Sequence, residues 1–341
     1  MNIKRRNYIA IVIATAIAFG LYFFNKKSSD TYTRITSVIW TTEYHITYKG
    51  RADMTDSVNK VLNGIDNTLS MFNPNSTISR INANDTMAKP HPYVALLLNI
   101  SKRINKESFG YYDPTVAPLV NLWGFGTKSS KTVPTDAQIS EALQYVGIHD
   151  VAIGKDGSIR KKHPQTIIDF SSIAKGFACD ELGRMLERNG IHDYIVEIGG
   201  EIRMNGQNPQ AENWHVSIDQ PIESDSDVIH QSAVILALTG KGIATSGNYR
   251  NYRKVNGKNI THIINPCTGY PEQSNLLSAT IIANTAADAD AYATACMAMG
   301  KERSIQMIQS NHNIDAILIY ADSDGNLKTW NSKGIATMIQ K

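Results

Sequence analysis

The sequence predicts an α+β body with antiparallel sheets and flanking helices, preceded by one N-terminal transmembrane helix. Strand-like segments occur as neighbouring hairpins around short turns such as Lys155-Asp156-Gly157-Ser158, which favours antiparallel pairing. Stretches with helical apolar spacing are segregated rather than alternating strictly with strands, which argues against an all-parallel sheet. The first thirty residues differ in composition from all that follow. Two units result: a signal anchor and linker over 1–30, and one folded domain over 31–341.

The bulk properties bound the function. The 341 residues, 42% hydrophobic and 19% charged, suffice for a large core without covalent staples. The net charge is only +3 and no basic block is interleaved with aromatics, so nucleic acid is not expected as a partner. Three cysteines, Cys179, Cys267 and Cys296, have no CxxC spacing. They indicate neither a disulfide framework nor a zinc site and are read as small buried side chains, with a single bridge left open.

Taken in order, Lys4, Arg5 and Arg6 precede an uncharged, mostly apolar run over 8–24, followed by Lys26 and Lys27. An uncleaved anchor with a cytoplasmic N-terminus and an exported body fits best, and a cleaved signal peptide is the alternative. No cysteine follows the run, which excludes a lipoprotein-type acyl anchor. Residues 35–48 alternate like a strand, and Val58, Val61, Leu62, Ile65 and Leu69 recur at helical spacing until MFNPNSTISRIN ends the helix in a structured loop. A second helix is expected over 93–104, and the passage FGYYDPTVAPLVNLWGFG is too apolar for a solvated loop. Thr135 and Gln138 have capping-box spacing for a helix reaching Tyr145. Two strands flank the turn at 155–158, a third is expected over 166–170, and a helix over 173–188. Strands on either side of Gly199-Gly200, the strand THIIN leading into PCTGYP, an Ala-rich helix over 286–299 and a last hairpin around Asp324-Gly325 complete the body.

Candidate chemistry lies in a few segments. Asp290 and Thr294 are four apart in ADADAYATACMAMG, so a carboxylate and a hydroxyl share one helix face and offer hard oxygen ligands for Mg²⁺; spacing alone is equally satisfied by a solvated face or a cap. In IIDFSSIAKGFACD, Lys175 beside Gly176 opens a helix, bringing a cation and free N–H groups together for an anion, although the glycine-rich half of a P-loop is missing and a plain surface lysine fits the same pattern. His262 leaves a strand before a Pro- and Gly-rich turn, IATSGNYRNY is a second loop-borne segment, and VEIGGEI contains a tight double-glycine turn that permits close backbone approach to a ligand.

Together, MFNPNSTISRIN, GYYDPTVAPLVNLWGFG, DFSSIAKGFACD, IATSGNYRNY with HIINPCTGYP, and ADADAYATA resemble the ApbE family of FAD:protein FMN transferases, over about residues 36–300. The resemblance implies an FAD-binding flavin transferase domain in which Asp290, Thr294 and the main-chain carbonyl of Ser172 hold Mg²⁺. It further implies that Lys175 and Asp169 contact FAD, that Phe72 lies near the flavin, that Tyr111, Tyr112 and Asp113 fall on a further FAD-contacting stretch, and that Ile264 lines the flavin site. Trp40 falls at a flavin-facing position, but Trp40-Thr41-Thr42 stands where the family has Met and then Gly-Thr. Ser172 stands where Ala is frequent, and Asn248 and Asn265 stand where Asp is frequent, so neither asparagine is given a metal or base role.

The reaction so implied is Mg²⁺-dependent transfer of FMN from FAD to a Thr or Ser hydroxyl of an acceptor protein, through a phosphoester and with release of AMP. Lys175 would neutralise phosphate charge, and His262 is the candidate to accept the hydroxyl proton. The acceptor is expected among subunits of membrane electron-transfer complexes, and the enzyme in the bacterial inner membrane, single-pass, with its catalytic domain on the periplasmic side. Two alternatives stand beside it: an Mg²⁺-dependent FAD pyrophosphatase yielding FMN and AMP, and a non-catalytic tethered flavin-binding protein.

Overall fold

An eight-stranded antiparallel sheet organises the computed structural model, which describes residues 31–88, 91–126, 132–219, 232–247, 252–255 and 258–340. The chain enters through β1 (Tyr32–Ile39) and β2 (Thr42–Lys49), then passes through α1 (Thr55–Leu69), α2 (Thr77–Asn82), α3 (Pro92–Glu107), α4 (Ala117–Leu122) and α5 (Asp136–Leu143). The small hairpin of β3 (Val151–Ile153) and β4 (Ile159–Lys161) precedes α6 (Ala174–Arg188), β5 (Tyr194–Ile198) and β6 (Glu201–Asn205). The hairpin of β7 (Trp214–Asp219) and β8 (Ser232–Leu238) follows, then β9 (Gly242–Gly247) and the hairpin of β10 (Tyr252–Val255) and β11 (Lys258–Thr261). The chain ends through β12 (Leu276–Ala283), α7 (Ala286–Ser310), β13 (Asp315–Ala321) and β14 (Leu327–Asn331). The large sheet runs β1-β2-β5-β6-β9-β12-β13-β14.

Both faces of this sheet are covered at β12 and β13, whose sequences LLSATIIA and DAILIYA are largely apolar in consecutive positions. Adjacent Ile281 and Ile282 on β12 face opposite ways. Ile281 joins the main core with Ile46, Val196, Leu97, Leu182 and Phe177 beneath the helices, whereas Ile282 joins a second core with Ile317, Ile319, Trp214 and Leu236 under the β7–β8 hairpin. A third, small cluster of Leu119, Trp123, Ile139 and Ile264 fixes α4 and α5 to the segment after β11.

The start of α7 is held unusually close. A Cβ on Gly176 of α6 would lie 2.2 Å from the Ala286 carbonyl oxygen, and one on Gly242 of β9 would lie 2.2 Å from the Ala286 nitrogen. Only glycine permits this backbone contact. The buried Asp180 carboxylate accepts from the N–H groups of Ala286 and Ala287, each at 2.9 Å, satisfying the first free donors of α7.

Several expectations need correction. Residues 35–48 form a two-stranded hairpin around Trp40-Thr41 instead of one strand, because no Gly or Asn marks that turn. Residues 166–170 run without sheet pairing. Ser76, whose side chain accepts from Ser79 N–H, starts the short α2 inside what reads as loop. The Ala-rich helix continues to Ser310 through a break at Gly300 (φ 74°, ψ 177°). Cys179 and Cys296 are buried, but Cys267 is exposed on the turn after Pro266, and all three are free. The capping box of Thr135 and Gln138 is present. Among the described residues no helix is long and apolar enough to cross a membrane; the expected anchor at 1–30 lies outside them, as does Asn248.

Candidate active site

A cavity of about 1080 Å³ opens beside the α6 and α7 contact. It is slightly above the roughly 300–1,000 Å³ usual for small-molecule sites, a size suited to a dinucleotide. Its walls are the start of β2, the loop at Met71 and Phe72, the segment 111–114, the α6 entry at Asp169, Ser172 and Lys175, the Gly199-Gly200-Glu201 turn, the segment 262–264, and one face of α7.

That face of α7 presents Asp290, Thr294 and Ala298, each four residues after the last. Asp290 is 4% exposed, and its Oδ2 accepts from Gly176 N–H at 3.1 Å. Gly176 lies in the first turn of α6, so its N–H is one of the donors that no helical carbonyl satisfies, and the Asp290 carboxylate takes it. Ser172 stands just before the helix and lines the same cavity as Asp290 and Thr294. The Ser172 hydroxyl donates to Tyr112 Oη at 3.3 Å, and Tyr112 is buried.

Lys175 reaches across to Glu201, donating from Nζ to Oε2 at 2.5 Å. Glu201 is 3% exposed; burial and the nearby Asp290 push its carboxyl up to about 8 against the pull of Lys175. Burial likewise raises Asp290, opposed by Lys175. Burial disfavours the Lys175 charge, yet Glu201 and Asp290 outweigh it and hold the ammonium above its ordinary range. Two buried acids thus share one cation. The wider cavity repeats this imbalance: its described lining includes Glu43, Asp113, Asp169, Glu197, Glu201, Asp219 and Asp290 but a single lysine, Lys175.

A phosphate-bearing ligand entering such a cavity meets net negative charge, which a divalent cation would offset. Among the described residues no three His, Cys, Asp or Glu side chains converge on a metal position. What converges is the Asp290 carboxylate and the Thr294 hydroxyl beside Ser172, whose main-chain carbonyl lies ahead of the α6 ladder, a hard-oxygen set that fits Mg²⁺, which binds few protein groups and retains water and phosphate oxygens.

The remaining sequence-derived candidates divide into three groups. Asp169 lines the cavity, with Oδ1 accepting from Ser171 N–H at 2.8 Å and Ser171 Oγ at 2.6 Å, and burial raises its pKa. Phe72, 76% exposed, Tyr111, which carries the Arg303 guanidinium 5.0 Å from its ring centroid, Ile264 and His262 also line it. The His262 ring lies edge-on to Phe125, with centroids 6.5 Å apart. Asp113 reaches the cavity wall, but both its oxygens serve the loop: Oδ1 accepts from Thr115 N–H and Oγ1, and Oδ2 from Ile148 N–H.

Trp40 is not brought to this cavity. Its indole packs against the main core, and its Nε1 donates to Asp66 Oδ1 at 3.0 Å. Asn265 is likewise a turn residue, accepting from Cys267 N–H and donating to Glu272. The residue missed in the sequence is Glu201; its signal was the acid immediately after Gly199-Gly200, a turn that lets β6 begin at the cavity wall.

The profile of the ApbE family matches residues 40–318. The FAD:protein FMN transferase of Haemophilus influenzae is 31% identical over 332 residues, covering 93% of this chain and 94% of its own. That of Klebsiella pneumoniae is 36% identical over 286 residues, with 82% and 79% covered. The solved structure of the flavin transferase ApbE from Vibrio cholerae superposes with a TM-score of 0.79 at 30% identity, over 90% of this chain and 99% of that one.

Proposed function

The chain belongs to the ApbE family and is an FAD:protein FMN transferase, and from that premise we propose that it acts with Mg²⁺ on a Thr or Ser hydroxyl of its acceptor. The observation that carries the reading is the meeting of Lys175, Asp290, Thr294 and Ser172 in a dinucleotide-sized cavity that His262 also lines. Asp290, Thr294 and the Ser172 carbonyl would hold the cation. Bound there, Mg²⁺ supplies charge neutralisation for a diphosphate bridge and its leaving group.

The chain's own residues carry the rest. Phe72, Tyr111 and Ile264 offer flat and apolar surface for an isoalloxazine ring, while Lys175 sits where it can place its ammonium against phosphate oxygens. His262 accepts the acceptor hydroxyl proton as the oxygen attacks the FMN phosphorus. The new P–O bond joins FMN to the acceptor as a phosphoester, the P–O bond to AMP breaks, and AMP leaves with that electron pair. The apolar run at 8–24, outside the described residues, would tether the enzyme to the inner membrane with its catalytic domain exported, on the same side as an acceptor subunit of a membrane electron-transfer complex.

The test is incubation of the purified protein with FAD, Mg²⁺ and a candidate acceptor domain, with in-gel flavin fluorescence scored with and without chelator. The expected result is a fluorescent acceptor band that chelation removes, with one AMP released per flavin attached. AMP and free FMN without a labelled acceptor, across acceptors bearing Thr or Ser sites, would replace transfer with FAD hydrolysis.

A further inference from the structure

The turn between β1 and β2 holds two residues in a conformation they seldom adopt. Ile39 pairs with Thr42, so Trp40 and Thr41 form a two-residue hairpin loop, and both have positive φ, 50° and 65°. This is the type I′ pattern, for which Asn-Gly is the favoured pair. A bulky aromatic followed by a β-branched residue persists there only where surrounding contacts hold it.

Those contacts lead to the cavity. Trp40 Nε1 donates to Asp66 Oδ1 on α1 at 3.0 Å, and Thr41 Oγ1 donates to the Trp40 carbonyl at 2.6 Å. The second Asp66 oxygen, Oδ2, accepts from Asn73 Nδ2 at 2.9 Å, and Asn73 Oδ1 in turn accepts from Asn75 N–H at 3.1 Å. Asp66 therefore ties the hairpin, whose β2 end supplies Thr42 and Glu43 to the cavity, to the loop that supplies Met71 and Phe72. Phe72 is 76% exposed, so packing does not fix its ring; its place depends on the backbone that Asn73 anchors.

We infer that Trp40 is a positioning residue, acting through Asp66 and Asn73 to set Phe72 against the flavin. The inference rests on the reading of this cavity as the FAD site. It also accounts for Trp40 standing at the turn: a shorter residue would suit the backbone better but would leave Asp66 without its indole donor.

The experiment compares the parent, Trp40→Phe, and the pair Trp40→Asn with Thr41→Gly, each with and without Phe72→Ala, by FAD fluorescence titration in Mg²⁺ and by steady-state kinetics. The Asn-Gly variant installs the preferred turn but gives up the packing of the indole against the main core, so circular dichroism first checks that each variant keeps the parent's fold. Both Trp40 variants should nonetheless bind FAD about five- to tenfold more weakly, with kcat at saturating FAD within about twofold. Phe72→Ala should weaken binding in the parent and much less in either variant background. Unchanged FAD affinity in both variants, or an equal effect of Phe72→Ala in all backgrounds, overturns the positioning role alone. A parent that binds no FAD overturns the site reading with it.

Discussion

Asp290 is the residue on which the metal proposal concentrates. It is buried, faces Lys175 and takes Gly176 N–H, so its replacement removes one ligand without emptying the core. Asp290→Ala is expected to lower turnover at saturating FAD and Mg²⁺ by roughly a hundredfold or more while far-UV circular dichroism stays that of the parent; parental activity at limiting Mg²⁺ would refute the assignment. His262→Ala should separate binding from chemistry. FAD titration should give the parent's affinity, while the transfer rate falls by about 10²- to 10⁴-fold, the usual range for a lost general base. Equal rates would remove His262 from the proton transfer.

At the scale of elements, the decisive contact is that of α6 and β9 with the first residues of α7. Because a methyl on Gly176 would sit 2.2 Å from the Ala286 carbonyl, Gly176→Ala must push two backbones apart. The expected loss is about 1–3 kcal/mol, read as a lower denaturation midpoint, and the shift should also weaken Mg²⁺ binding because Gly176 N–H anchors Asp290. Asp180 caps the same helix from within the core. Asp180→Ala strands the N–H groups of Ala286 and Ala287 and should cost about 2 kcal/mol, with a smaller loss for Asp180→Asn, which retains an acceptor.

For the whole molecule, burial raises the carboxyls of Asp113, Asp169, Asp180, Glu201 and Asp290 above their ordinary values, Asp180 to about 6 and Glu201 to about 8. A raised folded pKa means that the native state holds protons the unfolded chain has released. Stability from these groups is therefore fully present below about pH 4 and is lost as pH rises through about 6 and then 8. Without divalent cation, the melting temperature should decline across that window, and Asp180→Asn should flatten the part of the decline between about pH 4 and 6. Added Mg²⁺ should restore more stability at pH 8 than at pH 6, because it binds the deprotonated site. A flat profile in both conditions would contradict the buried-acid reading.

Periodicity located α1, α3, α6 and the first half of α7, and the Thr135–Gln138 box located α5, since each signal is local and each helix buries one regular face. The same locality made Asp290 and Thr294 legible as a pair, and the order of the motifs pointed to the family. What only the tertiary structure decided lies between segments distant in the chain: Glu201 meeting Lys175, the free first-turn N–H of Gly176 meeting Asp290, and Trp40 meeting Asp66. These depend on which backbones touch and which buried charges find partners, and neither propensity nor spacing carries that information.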